Sequence, residues 1–455
     1  MKSTWRGRRA FILGFGESGY AAAHFLLRRG AHVTALDGSF EAESKKQRAK
    51  ELAIPLCPDR PVALTAQDLL LLSPGINFSH PVVQSAVSAG CEVIGEVELA
   101  LQELSHRCIA ITGTNGKTTV TLLVTHVLRF CGFAAFAVGN VGTYGQPFTA
   151  ALDDLLPSQA ILVAELSSYQ LESAYTAAVD AAALLNLTQD HLDRHISLEG
   201  YARAKGRLKA LLKETATFFV QERSYLQFPH LFCSAHTSIF GWQANSATNS
   251  EQGQKGLYAN ATGVWENGVL LYSWQEHPYG STLAPHTAEN ELAALALCRT
   301  FGITCQQFLQ SLPSFVRPKH RCEEVATING TVYYDDSKGT NVDAVLQAVA
   351  AIPHKIILIA GGVDKGSDYT VWRSFFKNKV KVVLTIGQAA YKIEQQLAGC
   401  IPTEHCGTLS QAVNKAYSLA VTGEAIVLSP GCSSYDMFAD YADRGRTFQQ
   451  LVRAL

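Results

Sequence analysis

The stretch from Cys108 to Phe130, CIAITGTNGKTTVTLLVTHVLRF, constrains the fold more than any other part of the chain. An apolar, strand-like run, Cys108–Thr112, enters the loop TGTNGKTT, and a helical run, Lys117–Phe130, leaves it. A strand that feeds a helix through a glycine-rich turn directs backbone N–H groups at one point, where they can hold phosphate. The stretch therefore predicts a parallel α/β sheet with a nucleotide at the carboxyl end of this strand.

The residues of this loop have distinct expected roles. Lys117 is expected to reach the β- and γ-phosphates of ATP, and the hydroxyl of Thr118 to bind Mg2+. The loop departs from the strict GxxxxGK[ST] pattern, because Ile111 stands five positions before Gly116. The alternative is a turn rich in glycine and threonine that holds no ligand.

A second glycine-rich loop lies near the start of the chain. Gly14, Gly16 and Gly19 follow the apolar run Ala10–Leu13, and Asp37 ends the next strand-like run. This arrangement matches the dinucleotide pattern, in which the acid binds a ribose. Backbone N–H groups at a helix start bind any pyrophosphate, so these residues alone leave NAD, a UDP-sugar and a ligand-free turn open.

Strands and helices alternate along nearly the whole chain, which has 455 residues. At roughly 150 residues per domain, this length favours about three domains. We predict an α/β protein of three domains: a Rossmann-like N-terminal domain (1–100), a central P-loop ATPase-like domain with a parallel sheet (101–316) and a Rossmann-like C-terminal domain (317–455). The third domain begins with a hairpin that turns at Asn329 and Gly330. The polar stretch Asn245–Lys255 is predicted to be a loop.

Composition excludes several classes of protein. The net charge of −1 argues against a nucleic-acid partner. No apolar run reaches the roughly 18 residues that span a bilayer, so we expect no membrane insertion. The 11 cysteines are scattered singly without a CxxC pair, as expected for reduced thiols in the cytoplasm. A monomer is the default expectation.

Polar residues stand after three of the central strand-like runs. These are Asn140, Glu165 and His191. Parallel strands end at the same edge of a sheet, so the three side chains are expected to converge with the loop into a Mg2+ site beside ATP. Taken singly, Glu165 is also explained as a helix cap and His191 as an ordinary loop histidine.

Motifs distributed across essentially the whole chain resemble the Mur ligases, the ATP-dependent amide-forming enzymes of peptidoglycan synthesis. The matching segments are GTNGKTT, GN, ELSSYQLE, NLTQDHLDRH, YARAK, HR, DDSKGTN, GGVDKG and LSPGCSSYDMF. The last segment and GGVDKG look most like members of the family that add D-glutamate. The resemblance implies that the first loop holds the UDP of a sugar nucleotide rather than NAD.

The resemblance also implies a reaction, in which ATP phosphorylates the alanyl carboxylate of UDP-N-acetylmuramoyl-L-alanine and D-glutamate attacks the acyl phosphate. The implied cofactors are ATP and a pair of Mg2+ ions. The implied catalytic residues are Lys117, Glu165, His191 and Lys205. The implied metal ligands are Thr118, Glu165, His191 and Lys205, the last as the lysine that the family carbamylates with CO2. On its own sequence context, Lys205 is an ordinary helix lysine.

The remaining implied contacts fall into two sets. The ATP-binding residues are Gly113, Thr114, Asn115, Gly116, Lys117, Thr118, Thr119, Asn290, Arg321, Asp336 and Lys338. The substrate-binding residues are Ser18, Gly19, Asp37, Gly75, Asn140, His191, Thr340, Lys365, Ser434 and Tyr441. Among these, Lys365 and Ser434 supply the cation and hydroxyl that suit a dianionic amino acid.

Three other interpretations remain at this point. A related ligase of other specificity, either another Mur ligase or a folylpolyglutamate synthase, shares the ATP-binding core. A nucleotide-binding scaffold protein needs no intact set of Glu165, His191 and Lys205, and all three are present. An NAD oxidoreductase rests on the first loop alone.

Overall fold

A computed structural model describes residues 5–154, 156–243 and 256–455. Its residues divide into two compact units, Met1–Asn186 with Ala202–Phe315 and Leu187–Tyr201 with Val316–Leu455. The predicted loop Asn245–Lys255 lies outside the described residues. Within the described ranges, no helix is both long enough and apolar enough to cross a membrane. The cysteines are free thiols.

The first unit begins with a parallel five-stranded sheet in the order β3-β2-β1-β4-β5. Its strands are β1 (Arg9–Leu13), β2 (His32–Leu36), β3 (Leu56–Cys57), β4 (Leu69–Leu72) and β5 (Glu92–Gly95). Its helices are α1 (Glu17–Arg28), α2 (Glu43–Glu51), α3 (Pro81–Ser88) and α4 (Glu96–Glu103). Strand β4 is four leucines, all buried, because a central parallel strand is covered on both faces.

The central sheet has nine strands in the order β14-β13-β12-β11-β10-β9-β6-β8-β7. Its strands are β6 (Arg107–Thr112), β7 (Ala135–Gly139), β8 (Ile161–Glu165), β9 (Val179–Leu184), β10 (Leu212–Gln221), β11 (Thr237–Trp242), β12 (Gly256–Ala259), β13 (Gly263–Glu266) and β14 (Val269–Ser273). Strands β6 to β12 pair in parallel, and β12, β13 and β14 pair antiparallel. The strand that feeds the loop TGTNGKTT therefore lies inside a parallel sheet, as predicted.

Helices accompany this central region. They are α5 (Lys117–Phe130), α6 (Phe148–Asp153), α7 (Ser168–Leu171), α8 (Leu192–His195), α9 (Leu198–Gly206), α10 (Glu222–Gln227), α11 (Pro229–Phe232), α12 (Pro285–Arg299) and α13 (Cys305–Ser311). The apolar faces of α5 and α12 share one buried core with strands β6 and β8. This core fixes the start of α5, and with it the loop, on the sheet. Helix α8 belongs to the second unit.

Two buried carboxylates of α4 join the five-stranded layer to the central layer of the first unit. Glu98 Oε2 accepts hydrogen bonds from Tyr175 N (2.7 Å) and Thr176 N (3.0 Å). Glu96 Oε1 accepts from the backbone and the hydroxyl of Thr149, at 2.6 and 2.7 Å. Hydrogen-bond donors offset the cost of burying a carboxylate, so these bonds help to hold the two layers in register.

The second unit is built on a six-stranded sheet in the order β15-β16-β20-β17-β18-β19. Its strands are β15 (Glu323–Ile328), β16 (Thr331–Asp335), β17 (Lys355–Gly361), β18 (Val380–Ile386), β19 (Thr403–Gly407) and β20 (Glu424–Leu428). Its remaining helices are α14 (Val342–Ala351), α15 (Trp372–Phe376), α16 (Ala390–Leu397), α17 (Leu409–Leu419) and α18 (Tyr441–Arg453). Strands β15 and β16 form the predicted hairpin, with positive φ at Asn329 (51°) and Gly330 (75°). The predicted α/β class is confirmed.

Candidate active site

The loop between β6 and α5 depends on two glycines. Gly116 is the residue before α5 and has φ 82°, and Gly113 has φ 154°. A Cβ atom at Gly116 would lie 2.3 Å from Asn290 Oδ1. The side chain of Asn290, in the first turns of α12, therefore lies directly against the loop. The predicted ATP-side residue Asn290 and the loop are brought together.

Asn186, which the sequence interpretation did not single out, fastens the loop. Its carbonyl accepts from Thr114 N at 3.0 Å, and its Oδ1 accepts from Asn115 N at 2.8 Å. Its Nδ2 donates to the carbonyl of Asn115 at 3.1 Å. An asparagine directly after strand β9, which neighbours β6, was the available signal, because side chains at that position face the loop.

Two predicted lysines meet at the same loop. Lys117 Nζ donates to the carbonyls of Gly113 (2.9 Å) and Thr114 (2.8 Å). Lys205 Nζ donates to the carbonyl of Gly113 (2.8 Å) and to Thr112 Oγ1 (3.3 Å). Lys205 is 1% exposed, which is rare for a lysine. The sequence interpretation of Lys205 as an ordinary helix lysine does not fit this burial.

Glu165 ends β8, beside the end of β6. Its backbone pairs with Ile111, and the carbonyl of the next residue, Leu166, accepts from Thr112 Oγ1 at 2.7 Å. Asn140 Nδ2 donates to Glu165 Oε1 at 3.3 Å. The other carboxylate oxygen, Oε2, is buried and accepts no hydrogen bond from the part of the chain that the structure describes. Helix α7 is capped by Ser167 rather than Glu165, so the helix-cap explanation of Glu165 is wrong.

The first glycine loop is closed by Asp37. Its Oδ2 accepts from Phe15 N at 2.6 Å, and its Oδ1 accepts from Ser39 N at 2.7 Å and from Lys45. Burial opposes ionisation of Asp37, but the bonds from Lys45 and the two N–H groups outweigh it and lower the pKa of this carboxyl. The carboxylate thus holds the loop in shape.

The other residues in and near the first glycine loop differ in burial and in their contacts. Glu17, in the first turn of α1, pairs with Arg48, which neutralises an acid at a helix start where phosphate is expected. Ser18 is half-buried and Gly19 is buried in the same turn. A Cβ atom at Gly19 would lie 2.1 Å from the carbonyl oxygen of Gly14, so only glycine fits. Gly75 is exposed in the turn after β4, and a Cβ atom there would have no described atom within 4 Å.

In the second unit, Asp190 gathers several predicted residues. Its Oδ1 accepts from Lys365 Nζ at 3.2 Å and from His191 N at 3.0 Å. Its Oδ2 lies 3.5 Å from Asn341 Nδ2 and 3.6 Å from His191 Nε2. His191 has φ 54°, in the left-handed region that few non-glycine residues occupy. Asp190 was not among the predicted site residues.

A second group in this unit surrounds the segment DDSKGT. Asp336 is buried, and Ser429 Oγ donates to its Oδ2 at 2.6 Å. Burial is the largest influence and raises the pKa of Asp336 to about 7. Lys338 Nζ lies 3.7 Å from the centre of the Tyr441 ring, a cation–π contact. Thr340 N donates to the carbonyl of Lys338 at 2.8 Å.

Arg444 holds this group to the segment that carries Ser434. Its guanidinium donates to Ser337 Oγ (2.9 Å), to the carbonyl of Ser337 (2.8 Å) and to the carbonyl of Cys432 (3.2 Å). Burial lowers the pKa of Arg444 to about 10. Ser434, which closely follows Cys432 in the sequence, is buried, and Arg321 is half-buried. Arg444 was missed by the sequence interpretation, because a lone arginine on a helix carries no local signal.

Three family models match the chain in order. "Mur ligase MurD-like, N-terminal domain" matches residues 8–95, and "Mur ligase middle domain" matches residues 111–298. "Mur ligase, glutamate ligase domain" matches residues 320–432.

Two curated relatives are similar over their full length. A UDP-N-acetylmuramoylalanine--D-glutamate ligase of Protochlamydia amoebophila (strain UWE25) is 42% identical over 458 residues, covering 99% of this chain and 98% of the relative. A protein of the same name from Koribacter versatilis (strain Ellin345) is 35% identical over 468 residues, covering 99% and 98%.

Two solved structures share the fold. UDP-N-acetylmuramate-alanine ligase MurC from Thermotoga maritima has a TM-score of 0.59 at 18% identity, covering 98% of this chain and 99% of that one. MurF ligase from Thermotoga maritima, in complex with ADP, has a TM-score of 0.59 at 15% identity, with 100% of both chains covered. At these identities, the structural likeness establishes the fold alone.

Proposed function

The chain belongs to the Mur ligase family, and we propose that it links D-glutamate to UDP-N-acetylmuramoyl-L-alanine in an ATP-dependent reaction. The geometric observation that supports a phosphoryl-transfer site is the cluster at the ends of β6 and β8. There the glycine loop with Lys117 follows β6, and Glu165 ends the neighbouring strand β8 with a buried carboxylate oxygen that accepts no hydrogen bond from the described residues. The product would be a precursor of peptidoglycan, made in the cytoplasm by a monomer.

The reaction follows from the poor reactivity of a free carboxylate. ATP would transfer its γ-phosphoryl group to the alanyl carboxylate of the UDP-linked substrate, giving ADP and an acyl phosphate with a good leaving group. The ammonium group of D-glutamate would then lose a proton, the free amine would attack the carbonyl carbon, and the tetrahedral adduct would collapse to amide and phosphate. The protein contributes mainly position and charge neutralisation.

The loop residues Gly113–Thr119 would hold the phosphates of ATP. Backbone N–H groups of the loop and the start of α5 suit the phosphate oxygens. The ammonium of Lys117, now on two loop carbonyls, would exchange one of them for a phosphate oxygen. Further contacts to ATP are proposed for Asn290, Arg321, Asp336 and Lys338.

Mg2+ fits the residues around the loop. Among the described residues, none donates a hydrogen bond to the buried Glu165 Oε2, and a carboxylate oxygen is a ligand that suits Mg2+. Thr118 is buried at the start of α5 and would add its hydroxyl, and His191 is proposed as a further ligand. Bound Mg2+ would neutralise the charge of the transferred phosphoryl group. Asn140, which donates to Glu165 Oε1, orients this carboxylate.

Carbamylation of Lys205 is part of the proposal. The amine of Lys205 lies in the interior beside Thr112 and Gly113. Burial disfavours the charged ammonium form of a lysine, and the neutral amine is the form that adds CO2. The resulting carbamate would present a carboxylate to Mg2+ where the encoded side chain presents a cation.

The two other substrates are assigned to separate sets of residues. The UDP-sugar would contact Ser18, Gly19, Asp37, Gly75, Asn140 and His191. D-glutamate would contact Thr340, Lys365, Ser434 and Tyr441. With the proposed boundaries 1–100, 101–316 and 317–455, the three domains would serve the UDP-sugar, ATP and the amino acid in turn.

The test is release of phosphate from ATP with UDP-N-acetylmuramoyl-L-alanine and one of four amino acids. We expect release with D-glutamate and none with L-glutamate, D-alanine or meso-diaminopimelate. Lys365→Met is expected to raise the KM for D-glutamate, whereas the control Lys415→Met, at an exposed ion pair with Glu404 (2.8 Å), is not. Release with a different amino acid would identify a ligase of other specificity, and no release with any of them would refute the proposed activity.

A further inference from the structure

The contact between Asp190 and Lys365 joins two segments that lie 175 residues apart in the sequence. Asp190 follows strand β9 in the segment Leu187–Tyr201, and Lys365 follows β17 in the segment GGVDKG. Both belong to the second compact unit. The two side chains are 8% and 14% exposed, and the joined atoms are 3.2 Å apart. Because both side chains are largely buried, removing either one would leave the charge of the other buried without its partner, at a cost in free energy.

The carboxylate of Asp190 is held in one orientation. Asn341 uses its Oδ1 to accept from Ala344 N at 2.8 Å, as the residue that caps α14. Its Nδ2 is thereby directed at Asp190 Oδ2, 3.5 Å away. His191 N donates to Oδ1, and the backbone of His191 is in the left-handed region, with φ 54° and ψ 36°. Strained conformations of this kind concentrate at functional sites.

We propose that Asp190 binds the α-ammonium group of the incoming amino acid, and that Asp190 and Lys365 together select an α-amino acid over an amine-free dicarboxylate. The inference rests on the proposed function, in which Lys365 binds a carboxylate of D-glutamate. An ammonium group has three N–H donors, so Lys365 holds Asp190 and a substrate carboxylate at the same time.

The carboxylate of Asp190 and the ammonium of Lys365 are complementary in charge to the ammonium and carboxylate of an α-amino acid. An α-amino acid carries its ammonium and α-carboxylate on one carbon atom. A carboxylate on Lys365 therefore brings the ammonium toward Asp190, and the two pairs of opposite charge lie antiparallel. Glutarate has the two carboxylates of D-glutamate and lacks the amine, so it gains nothing from Asp190 and meets its negative charge.

The experiment compares D-glutamate as substrate with glutarate as competitive inhibitor in the complete reaction. Asp190→Asn keeps the size of the side chain and removes its charge. We expect the KM for D-glutamate to rise by about tenfold to a hundredfold, the worth of a hydrogen bond to a charged group. The Ki of glutarate is expected to remain unchanged or to fall, because the charge of Asp190 no longer neutralises Lys365. The ratio of KM to Ki then rises at least about tenfold.

Two further variants make the comparison specific. Asp190→Glu retains the carboxylate and is expected to retain most of the preference for the amine. Glu404→Gln removes the carboxylate of the exposed pair with Lys415 (2.8 Å) and is expected to leave both constants unchanged. Should Asp190→Asn lack measurable turnover, calorimetric titration with D-glutamate and with glutarate, in the presence of a non-hydrolysable ATP analogue and UDP-N-acetylmuramoyl-L-alanine, gives the same ratio.

The outcomes separate this inference from the proposed function. A wild-type enzyme without D-glutamate-dependent phosphate release contradicts the proposed function itself. A wild-type enzyme that is active, with an Asp190→Asn variant that keeps the ratio of KM to Ki, overturns the inference. Constants for D-glutamate and glutarate that rise together also overturn it, because Asp190 would then act only by placing Lys365.

Discussion

Replacing Gly116 by alanine is predicted to impair the use of ATP far more than it impairs stability. Gly116 has φ 82°, and its Cβ atom would lie 2.3 Å from Asn290 Oδ1. Gly132, at the other end of the same helix α5, offers a matched comparison. It has φ 87°, and a Cβ atom there meets no atom of the described residues within 4 Å.

The two substitutions share one cost and differ in another. A non-glycine residue in the left-handed region costs about 1–2 kcal/mol at either position. At Gly116, the steric overlap with the side chain of Asn290 adds a second cost to this backbone cost. A carbon and an oxygen atom pack at about 3.5 Å, so the side chain of Asn290 or the loop must move by roughly 1 Å. A misplacement of about 1 Å at a site that positions substrate can cost about a hundredfold in rate.

The assay is steady-state kinetics with ATP varied, together with thermal unfolding. Gly132→Ala is expected to lower the melting temperature by about 2 °C, and Gly116→Ala by somewhat more because of the added overlap with Asn290. Gly116→Ala is expected to lower kcat/KM for ATP by about tenfold to a hundredfold, and Gly132→Ala by less than about twofold. Far-UV circular dichroism of both variants checks that they fold.

A double-mutant cycle tests whether Asn290 is the cause. Asn290→Ala removes the oxygen atom that the new Cβ would meet, at its own cost in ATP binding. Adding Gly116→Ala to that variant is then expected to lower kcat/KM by less than about threefold. If Gly116→Ala behaves like Gly132→Ala, or if its effect is the same with and without Asn290, the reasoning from this contact is wrong.

Three further predictions use other buried groups. Glu165→Gln keeps the shape of the side chain and removes its charge, so half-maximal activity is expected to need at least about tenfold more Mg2+; an unchanged Mg2+ titration would rule out the proposed metal contact. Burial raises the pKa of Asp336 from 3.8 to about 7, so the folded state binds this proton more tightly than the unfolded state. The stability that Asp336 contributes is therefore fully present below the ordinary pKa of 3.8, and it is lost as the pH rises from there through about 7. Asp336→Asn is expected to flatten the fall in melting temperature between about pH 4 and 7, and parallel curves would contradict this. Glu98→Gln replaces an acceptor that faces the N–H groups of Tyr175 and Thr176, at a cost of about 1–3 kcal/mol; we expect a lower melting temperature with unchanged KM values, and a changed KM would place Glu98 in the site.

The sequence determined the elements whose signals are local. Helix α5 has the predicted bounds, Lys117–Phe130, because an apolar face and flanking glycines mark it. The hairpin at Asn329 and Gly330 follows from residues that tolerate positive φ. Strand β19, TEHCG, was missed, because a polar strand at the edge of a sheet has no apolar alternation. The class of the fold and the phosphate loop therefore needed no coordinates.

The tertiary structure decided which distant residues meet. Lys205 reaches the carbonyl of Gly113, 92 residues away, and Asp190 reaches Lys365. Asn186 fastens the loop because β9, rather than the strand next in the chain, lies beside β6. Periodicity and spacing report only on neighbours within one element. The order of strands in a parallel sheet is set by how helices and strands pack together. This packing places residues that are far apart in the sequence side by side in one site.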